Sequence, residues 1–438
     1  MSTRVSRRAF LKHSAAGAGI VILTGSAGVR AYAANDKLNT ALIGVGRRGE
    51  KLSGAANSQN LIALCDADET RMAKALAQNP NLKGYTDYRK LFDAHKNLNA
   101  VFIATSDHHH FPAAMRAIDV GAGVYVEKPL TYCIWEARTL TEFARSKKVA
   151  SQMGNQGHSG EGWRVLCEYI WAGAIGDVAE VHCTTDRPTG WWKQGIDRPP
   201  AKPVPKGLDW ESWIGPAPMR EYHDNLHPFN WRGWLDFGTG ALGDMGCHIM
   251  DGAVWALKLT EAKTIEVEAE SSGVNGETFP AWSIVTYKFP ARGSMPPVTL
   301  KWFDGGKRPP RPADLEPERK EDFDSVYLGT KGTMVAGTYG DGVRIIPEAK
   351  RQATPRPAKT IPRSPKGHQG DFLEACRGGP PAGSNFDYSG PLAEIVLLGN
   401  LAIRLGRKIE FDVVAMKAKN CPEADALIRR TPRPGWYL

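Results

Sequence analysis

The stretch "LNTALIGVGRRG", residues 38–49, sets the reading of everything after it. An apolar, β-prone run ends in Gly44-x-Gly46-x-x-Gly49 and passes directly into a segment of helical character. Alone, such a glycine pattern is weak. A second apolar run, "LIALCDAD" (61–68), ends in Asp66 about twenty residues on, where a dinucleotide-binding βαβ unit needs a carboxylate. Gly44 permits a tight turn, Gly46 lets the backbone approach a pyrophosphate, Gly49 allows close packing, and the helix N-terminus faces the negative charge. Asp66 then accepts hydrogen bonds from the adenosine ribose. With Asp68 close by and no Arg immediately after Asp66, a 2'-phosphate meets repulsion, which favours NAD; Arg47 and Arg48 in the loop leave NADP open.

Apolar runs and helical patterns then alternate as in a parallel sheet covered by helices. Helical stretches at 69–78 and 87–95 precede "AVFIAT" (100–105), "GVYVE" (123–127) and "VASQM" (149–153), the last three separated by helices. Ligands in such sheets bind beyond the carboxyl ends of the strands. That rule gathers Thr105, Ser106, Glu127, Lys128 and Gln156 around one crevice. "EKP" (127–129) stands out because two charges follow an apolar strand, although a solvated strand end is the plainer reading.

With 438 residues, 42% hydrophobic and 24% charged, the chain is globular and long enough for two domains. The formal charge of +9 is misleading. Arg4, Arg7, Arg8, Lys12 and Arg30 fall in the first 33 residues, which hold no acid, and setting those five aside leaves +4. No run of five or six like charges occurs elsewhere, so a nucleic-acid partner is not expected. That first segment, "SRRAFLK" (6–12), an apolar stretch around "AAGAGIVILTG" and "AYA" (31–33), has the pattern of a twin-arginine export signal cleaved before Ala34. Its apolar run is short and Gly-rich, too little for the roughly 20 residues that span a bilayer, so no stable membrane anchor is expected after its removal. The expected location is periplasmic or otherwise outside the cytoplasm. Seven cysteines, without a C-x-x-C, read as buried unpaired side chains. The run Asp107-His108-His109-His110 has neighbours that point apart, so no metal site is expected.

Further on, "GDMGCH" (243–248) places Asp244 and His248 on one face of a helix. Spacing alone leaves metal ligands, a surface ion pair and an acid/base couple open. Six of the thirteen tryptophans, at 191, 192, 210, 213, 231 and 234, crowd the segment before it. Such rings pack against the apolar faces of sugars, and Arg232, Asp236, His223 and His227 could bond hydroxyls; a loop tied down by aromatic packing is compatible with that role. Trp231 and Arg232 are the substrate candidates.

"GVGRRG", "ATSDHHH", "EKPL" and "GALGDMGCH" occur in an order that resembles the glucose-fructose oxidoreductase, inositol dehydrogenase and MocA (Gfo/Idh/MocA) family, over essentially the whole chain after the signal. The resemblance implies an α/β fold: an N-terminal Rossmann NAD(P)-binding domain (36–156) and a C-terminal α/β domain with an open, largely antiparallel sheet (157–438), behind a signal at 1–33. It maps Lys128, Asp244 and His248 onto the family's catalytic Lys, Asp and His, and adds His110 to the cofactor-binding set. Ser106 stands where the family usually has Pro. Independently, oxidising a secondary alcohol with NAD requires a base near neutral pKa, and His248 is the suitable type. Lys128 could bind the hydroxyl oxygen and stabilise alkoxide charge, and Asp244 could orient the sugar or the imidazole. A carbohydrate or polyol substrate fits the resemblance best.

"TIEVEAES", "WSIVTYKF" and "VTLKWF" suit an antiparallel sheet, and "GPLAEIVLLGNLAIRL" (390–405) a buried helix. The Pro/Lys/Arg-rich stretches near 305–320 and 347–366 read as exposed loops. The resemblance implies a homodimer or homotetramer through one sheet face. Export leaves no ordinary NAD pool, so a tightly held cofactor must return to its starting state in each cycle, through coupled sugar oxidation and reduction or through redox-neutral cleavage. Three functions follow: an NAD-containing sugar or polyol oxidoreductase, a lyase or glycosidase with catalytic NAD, and a non-catalytic carbohydrate-binding protein.

Overall fold

The computed structural model describes residues 37–437, so the signal expected at 1–33 lies outside the described residues. Six short strands form the first sheet: β1 (Asn39–Ile43), β2 (Asn60–Cys65), β3 (Lys83–Tyr85), β4 (Ala100–Ile103), β5 (Gly123–Val126) and β6 (Ser151–Met153). Their order is β3-β2-β1-β4-β5-β6 and every pairing is parallel. This is the doubly wound dinucleotide-binding order, whose direction reverses between β1 and β4 and leaves a crevice there. Strands β1, β4 and β5 are buried on both faces, which is why their sequences are continuous apolar runs rather than alternating ones.

One face of this sheet has an unexpected cover. Leu52 and Ala56 of the Arg48–Asn57 helix share a core with Phe372 and Leu373 of the Gly367–Cys376 helix. Phe372 stands edge-on to Phe102 and Tyr125, with ring centroids 5.4 and 5.8 Å away. A boundary at 156 therefore describes where the first sheet ends in sequence, while its core is completed by residues more than 200 positions later.

The second sheet holds β7 (Val178–Thr184), β8 (Thr264–Ser271), β9 (Ser283–Phe289), β10 (Val298–Phe303), β11 (Ser325–Gly329), β12 (Gly332–Ala336), β13 (Arg344–Ile346), β14 (Ile409–Asp412) and β15 (Lys417–Ala418). Its order is β13-β12-β11-β7-β10-β9-β8-β14-β15, with only the β7–β10 pair parallel. Register fixes the two faces. Val181, Leu300, Tyr287 and Tyr327 pair on the inner face, whereas Glu180, Thr299, Lys288 and Lys301 lie outside, where Lys301 reaches Glu180 at 2.9 Å. The long Phe386–Leu405 helix lies against β8 and β9 and is buried along nearly its whole length. Asn385 caps it by accepting from the Asp387 N–H, so it begins at Phe386 rather than at Gly390. No helix among the described residues is long and apolar enough to cross a membrane.

Candidate active site

The crevice above β1, β2 and β4 opens into a cleft walled by both halves of the chain. The glycine turn behaves as its spacing requires. Gly44 has φ +82°, and a Cβ there would stand 2.6 Å from the Ala104 carbonyl. A Cβ on Gly49 would sit 1.9 Å from the Gly44 carbonyl oxygen, so the third glycine lets helix and strand meet. Gly46 faces the Arg71 guanidinium, whose Nη1 lies 1.7 Å from where a Cβ would be. No side chain caps the Arg48–Asn57 helix at Arg47, and within its first turn the Gly49 N–H donates to the Gly46 carbonyl at 2.8 Å. Asp66 Oδ2 accepts from the Val45 N–H (2.8 Å) and Oδ1 from the Asp68 N–H (3.0 Å), which fixes the carboxylate at the β2 exit. Burial raises its pKa, and those two N–H groups oppose the rise.

Thr105, Ser106, Glu127 and Lys128 line the same cleft. Thr105 Oγ1 and Glu127 Oε2 are buried polar atoms without a partner, and with the glycine turn, the Arg71 cation over Gly46 and the helix N-terminus they fit a dinucleotide. Arg48 is committed elsewhere: Nε to Glu127 at 2.7 Å and Nη2 to Gln156 at 2.9 Å. Arg47 packs over Phe229, 4.1 Å from the ring centre. Gln156 thus acts at one remove, through Arg48. His110 lies behind the cleft floor, bonded to the carbonyls of Pro129 (2.7 Å) and Thr105 (3.2 Å). Arg47 and Arg48 are thus engaged by Phe229 and by Glu127 and Gln156, and the cation that acts on Asp66 is Arg71, which reaches over Gly46.

Beyond β5, Lys128 reaches the Gly240–Ile249 helix of the second domain. Its Nζ donates to the Asp244 backbone oxygen (2.7 Å) and to Asp244 Oδ1 (2.8 Å), which leaves one of its three donors for a ligand. Arg232 Nε reaches the same Oδ1 at 3.2 Å, and its guanidinium stacks on Trp231 at 4.3 Å. Burial would raise the Asp244 pKa, but Lys128 and then Arg232 outweigh it and hold the carboxyl well below the ordinary carboxylate range. His248, one turn further along, does not line this cleft. It is buried, its Nδ1 has no partner, and its ring meets Tyr339 edge-on at 4.9 Å. Burial lowers its pKa well below the histidine range, and the Lys128 charge lowers it further, so the ring is neutral.

Several residues had no distinct signal. Asp107 lines the cleft, is buried, and accepts from Thr239 Oγ1 at 2.5 Å; burial pushes its carboxyl up to about 7 against that hydrogen bond and Lys128. The sequence showed it only inside "DHHH". Those histidines do not all point apart as expected. A 3-10 turn at Asp107–His109 brings the His108 and His109 rings within 4.2 Å, both against the Trp213 carbonyl, while His110 turns away. All seven cysteines are unpaired. In the tryptophan-rich segment, Trp213, His227, Trp231 and Arg232 line the cleft, whereas His223 packs on Trp234 and Asp236 pairs with Arg220, so neither reaches it. Trp191 is exposed beneath Arg187, 3.5 Å away.

Comparison with known proteins agrees with this architecture. Residues 38–155 match the "Oxidoreductase family, NAD-binding Rossmann fold" and residues 172–295 the "Oxidoreductase family, C-terminal alpha/beta domain", both of Gfo/Idh/MocA and together more than half of the chain. Oxidoreductase P35 of Formosa agariphila is 28% identical over 35% of this chain and 49% of its own length; inositol 2-dehydrogenase of Salmonella typhimurium is 26% identical over 33% and 45%. The match thus spans about half the length of these curated relatives. Among solved structures, the WlbA dehydrogenase of Bordetella pertussis, in complex with NADH and UDP-GlcNAcA, superposes with a TM-score of 0.58 at 15% identity, covering 85% of this chain and 98% of that one. Levoglucosan dehydrogenase, in complex with NADH and L-sorbose, gives 0.55 at 17%, covering 86% and 99%. At such identities the structures speak to the fold, and with the two sequence matches they place this chain in the Gfo/Idh/MocA oxidoreductase family.

Proposed function

We propose that this chain is an NAD-dependent oxidoreductase acting on a secondary hydroxyl of a sugar, polyol or glycoside. The observation that carries this reading is the Lys128–Asp244–Arg232 cluster, which stands in the same cleft as the glycine turn and Asp66. NAD supplies the hydride acceptor when bound. Gly44, Gly46, Gly49 and Asp66 hold the dinucleotide, and Thr105, Ser106 and Glu127 line its path. Lys128 gives its remaining N–H to the substrate hydroxyl and favours the alkoxide as charge develops. Asp244 keeps that ammonium oriented, and Arg232 keeps Asp244 ionised. The hydroxyl proton goes to His248, neutral and one helical turn from Asp244, or to Asp107, which lines the cleft itself.

Export through the twin-arginine route and a homodimer or homotetramer through the outer face of the second sheet belong to the same proposal. A redox-neutral lyase or glycosidase is the second reading. Like coupled sugar oxidation and reduction, it needs a cofactor that is not exchanged between turnovers, which the tethers between residues 207–232 and the Rossmann domain suit. To test both, the protein purified from the exported fraction is denatured and the released dinucleotide identified by mass spectrometry. Native protein is then given a sugar and glycoside panel while reduced nicotinamide absorbance and cleaved product are followed. Bound NAD with a lasting absorbance change supports the oxidoreductase, and turnover without one supports cleavage. A protein that neither carries nor takes up NAD or NADP refutes both.

A further inference from the structure

We infer that residues 207–232 of the second domain form a strap that closes the adenosine side of the cofactor site, so that release of the dinucleotide requires the strap to lift. The inference rests on the proposed cofactor reading, and within the strap only Trp231 and Arg232, at its substrate end, have a part in that reading. Its contacts follow chain order along the length of the cleft. Beside Asp66, the Glu69 N–H donates to the Gly207 carbonyl (2.9 Å), the Asp209 N–H donates to the Ala67 carbonyl (2.8 Å), and Asp68 and Leu208 form an antiparallel bridge. Gly207 has φ +87°, and its lack of a Cβ lets the Thr70 methyl approach to 3.0 Å of where one would stand. Thr86 Oγ1, just beyond β3, donates to Asp209 Oδ2 at 3.0 Å. His109 Nε2 meets the Trp213 carbonyl at 2.8 Å. At the other end, Phe229 lies under Arg47 and Arg232 reaches Asp244. Between these ends, Trp213, His227 and Trp231 line the cleft itself.

The strap is a folded element with its own packing. Trp210 and Trp213 stack at 4.7 Å with planes 7° apart, and Leu208, Trp213, Tyr222, Leu226 and Trp231 share one apolar cluster with Trp234 and Phe237, against which Ala67 of the Rossmann domain packs. Trp210 Nε1 donates to the Arg220 carbonyl at 2.8 Å, and Arg220 is in turn held by Asp236 and Glu277. Residues joined through one apolar cluster move together, so lifting of the strap breaks the tethers together rather than one at a time. The ribose carboxylate stands at the β2 exit, and the bridge crosses that exit. The adenosine half of the ligand is therefore enclosed by both domains, and the strap sets the rate at which it leaves.

The test staples the strap. Paired positions in an antiparallel bridge are about 4.5–5.5 Å apart between Cα atoms, within the range a disulfide spans. Asp68→Cys with Leu208→Cys is loaded with radiolabelled NAD while reduced, then either oxidised or kept reduced, and release is followed after an excess of unlabelled NAD is added. Oxidised protein is expected to release label roughly 100-fold more slowly, the scale on which one cross-link constrains a chain. Thr86→Val, which removes one tether on the Rossmann side, is expected to release NAD roughly fivefold faster than the unmodified protein. Equal release from oxidised and reduced protein, with Thr86→Val unchanged, overturns the strap while leaving the cofactor reading intact. If the double variant binds no NAD, Thr86→Val against the unmodified protein decides. Absence of NAD binding by the unmodified protein overturns the cofactor reading itself.

Discussion

Replacing Lys128 with methionine isolates the charge cluster on which the functional reading depends. Lys128 and Asp244 are only 15% and 14% exposed, and the Nζ meets both the backbone and side-chain oxygens of Asp244. Methionine keeps most of the stem and removes the charge. Breaking one partner out of a buried pair costs about 3–5 kcal/mol, because a carboxylate is left in low dielectric. Arg232 still contacts Asp244 Oδ1, so the lower end, about 3 kcal/mol at neutral pH, is expected. The sign with pH follows from the groups present. In the unmodified protein the Asp244 carboxyl is held below its unfolded value, so its stabilisation is present above about pH 4 and is lost only at more acid pH. Without Lys128 the burial contribution gains weight, and the variant takes up a proton at higher pH than the unmodified protein. Its deficit in urea unfolding should therefore shrink as pH falls from about 8 towards about 5. Adding Asp244→Asn to Lys128→Met should restore about 2 kcal/mol, because the stranded charge is gone. A deficit under about 0.5 kcal/mol, within the range of ordinary surface changes, would refute the argument. So would a deficit that is flat with pH and unmoved by Asp244→Asn.

His248→Asn should lower kcat by about 100-fold or more while leaving NAD affinity within twofold, measured by steady-state rates and calorimetry on the substrate found in the panel. Asp107→Asn tests the other titrating group: with its folded carboxyl raised to about 7, a burial penalty is present above that pH and absent below the unfolded value. The variant should be more stable than the parent near pH 8, by up to about 4 kcal/mol for a shift of about three units, and equal to it near pH 4; equal unfolding curves at both pH values would refute that penalty. Gly49→Ala places a methyl 1.9 Å from the Gly44 carbonyl oxygen, so NAD affinity should fall by about tenfold or more in equilibrium dialysis even where the circular dichroism spectrum is retained.

Much of the first sheet was legible because its signals are local. A continuous apolar run followed by spaced glycines constrains backbone geometry within a dozen residues, and Asp66 follows from strand length. Strand β3 was not, since "KGY" is three residues long at a sheet edge and carries no apolar pattern. The cover of Phe372 over Phe102 is invisible for a different reason: nothing in "GHQGDFLEAC" states which of two sheets it meets. Asp244 was legible through helical spacing, yet spacing could not show that its partner is Lys128, across the domain junction, rather than His248 on the same face. The tryptophan cluster gave the presence of aromatic packing without its target, since the contact between 207–209 and 67–69 depends on how the domains close. Arg71 is the same kind of case, because its reach over Gly46 is set by the 3-10 turn after Asp68.

Two of the carboxylates that line the cleft, Asp244 and Asp107, have been driven to opposite proton states by their surroundings. Asp244 is buried but faces Lys128 and Arg232, and it stays ionised; Asp107 is buried with a Thr239 hydroxyl as its hydrogen-bond donor, and it titrates near neutrality. Environments that push paired groups apart in this way separate an electrostatic role from a proton-carrying one. The same helix enforces the separation, because Thr239 at its start holds Asp107 while Asp244, a turn later, holds Lys128. His248 is one turn further again, neutral and shielded by Tyr339. Asp244 therefore has no proton to give at neutral pH, and its part is to keep the Lys128 ammonium directed at the substrate oxygen. Proton transfer falls to His248 or Asp107, and the two variants divide the cases: a pH–rate profile that loses its limb near 7 in Asp107→Asn makes the aspartate the proton carrier, whereas a profile of unchanged shape in that variant, with rate lost in His248→Asn, leaves the histidine as the base.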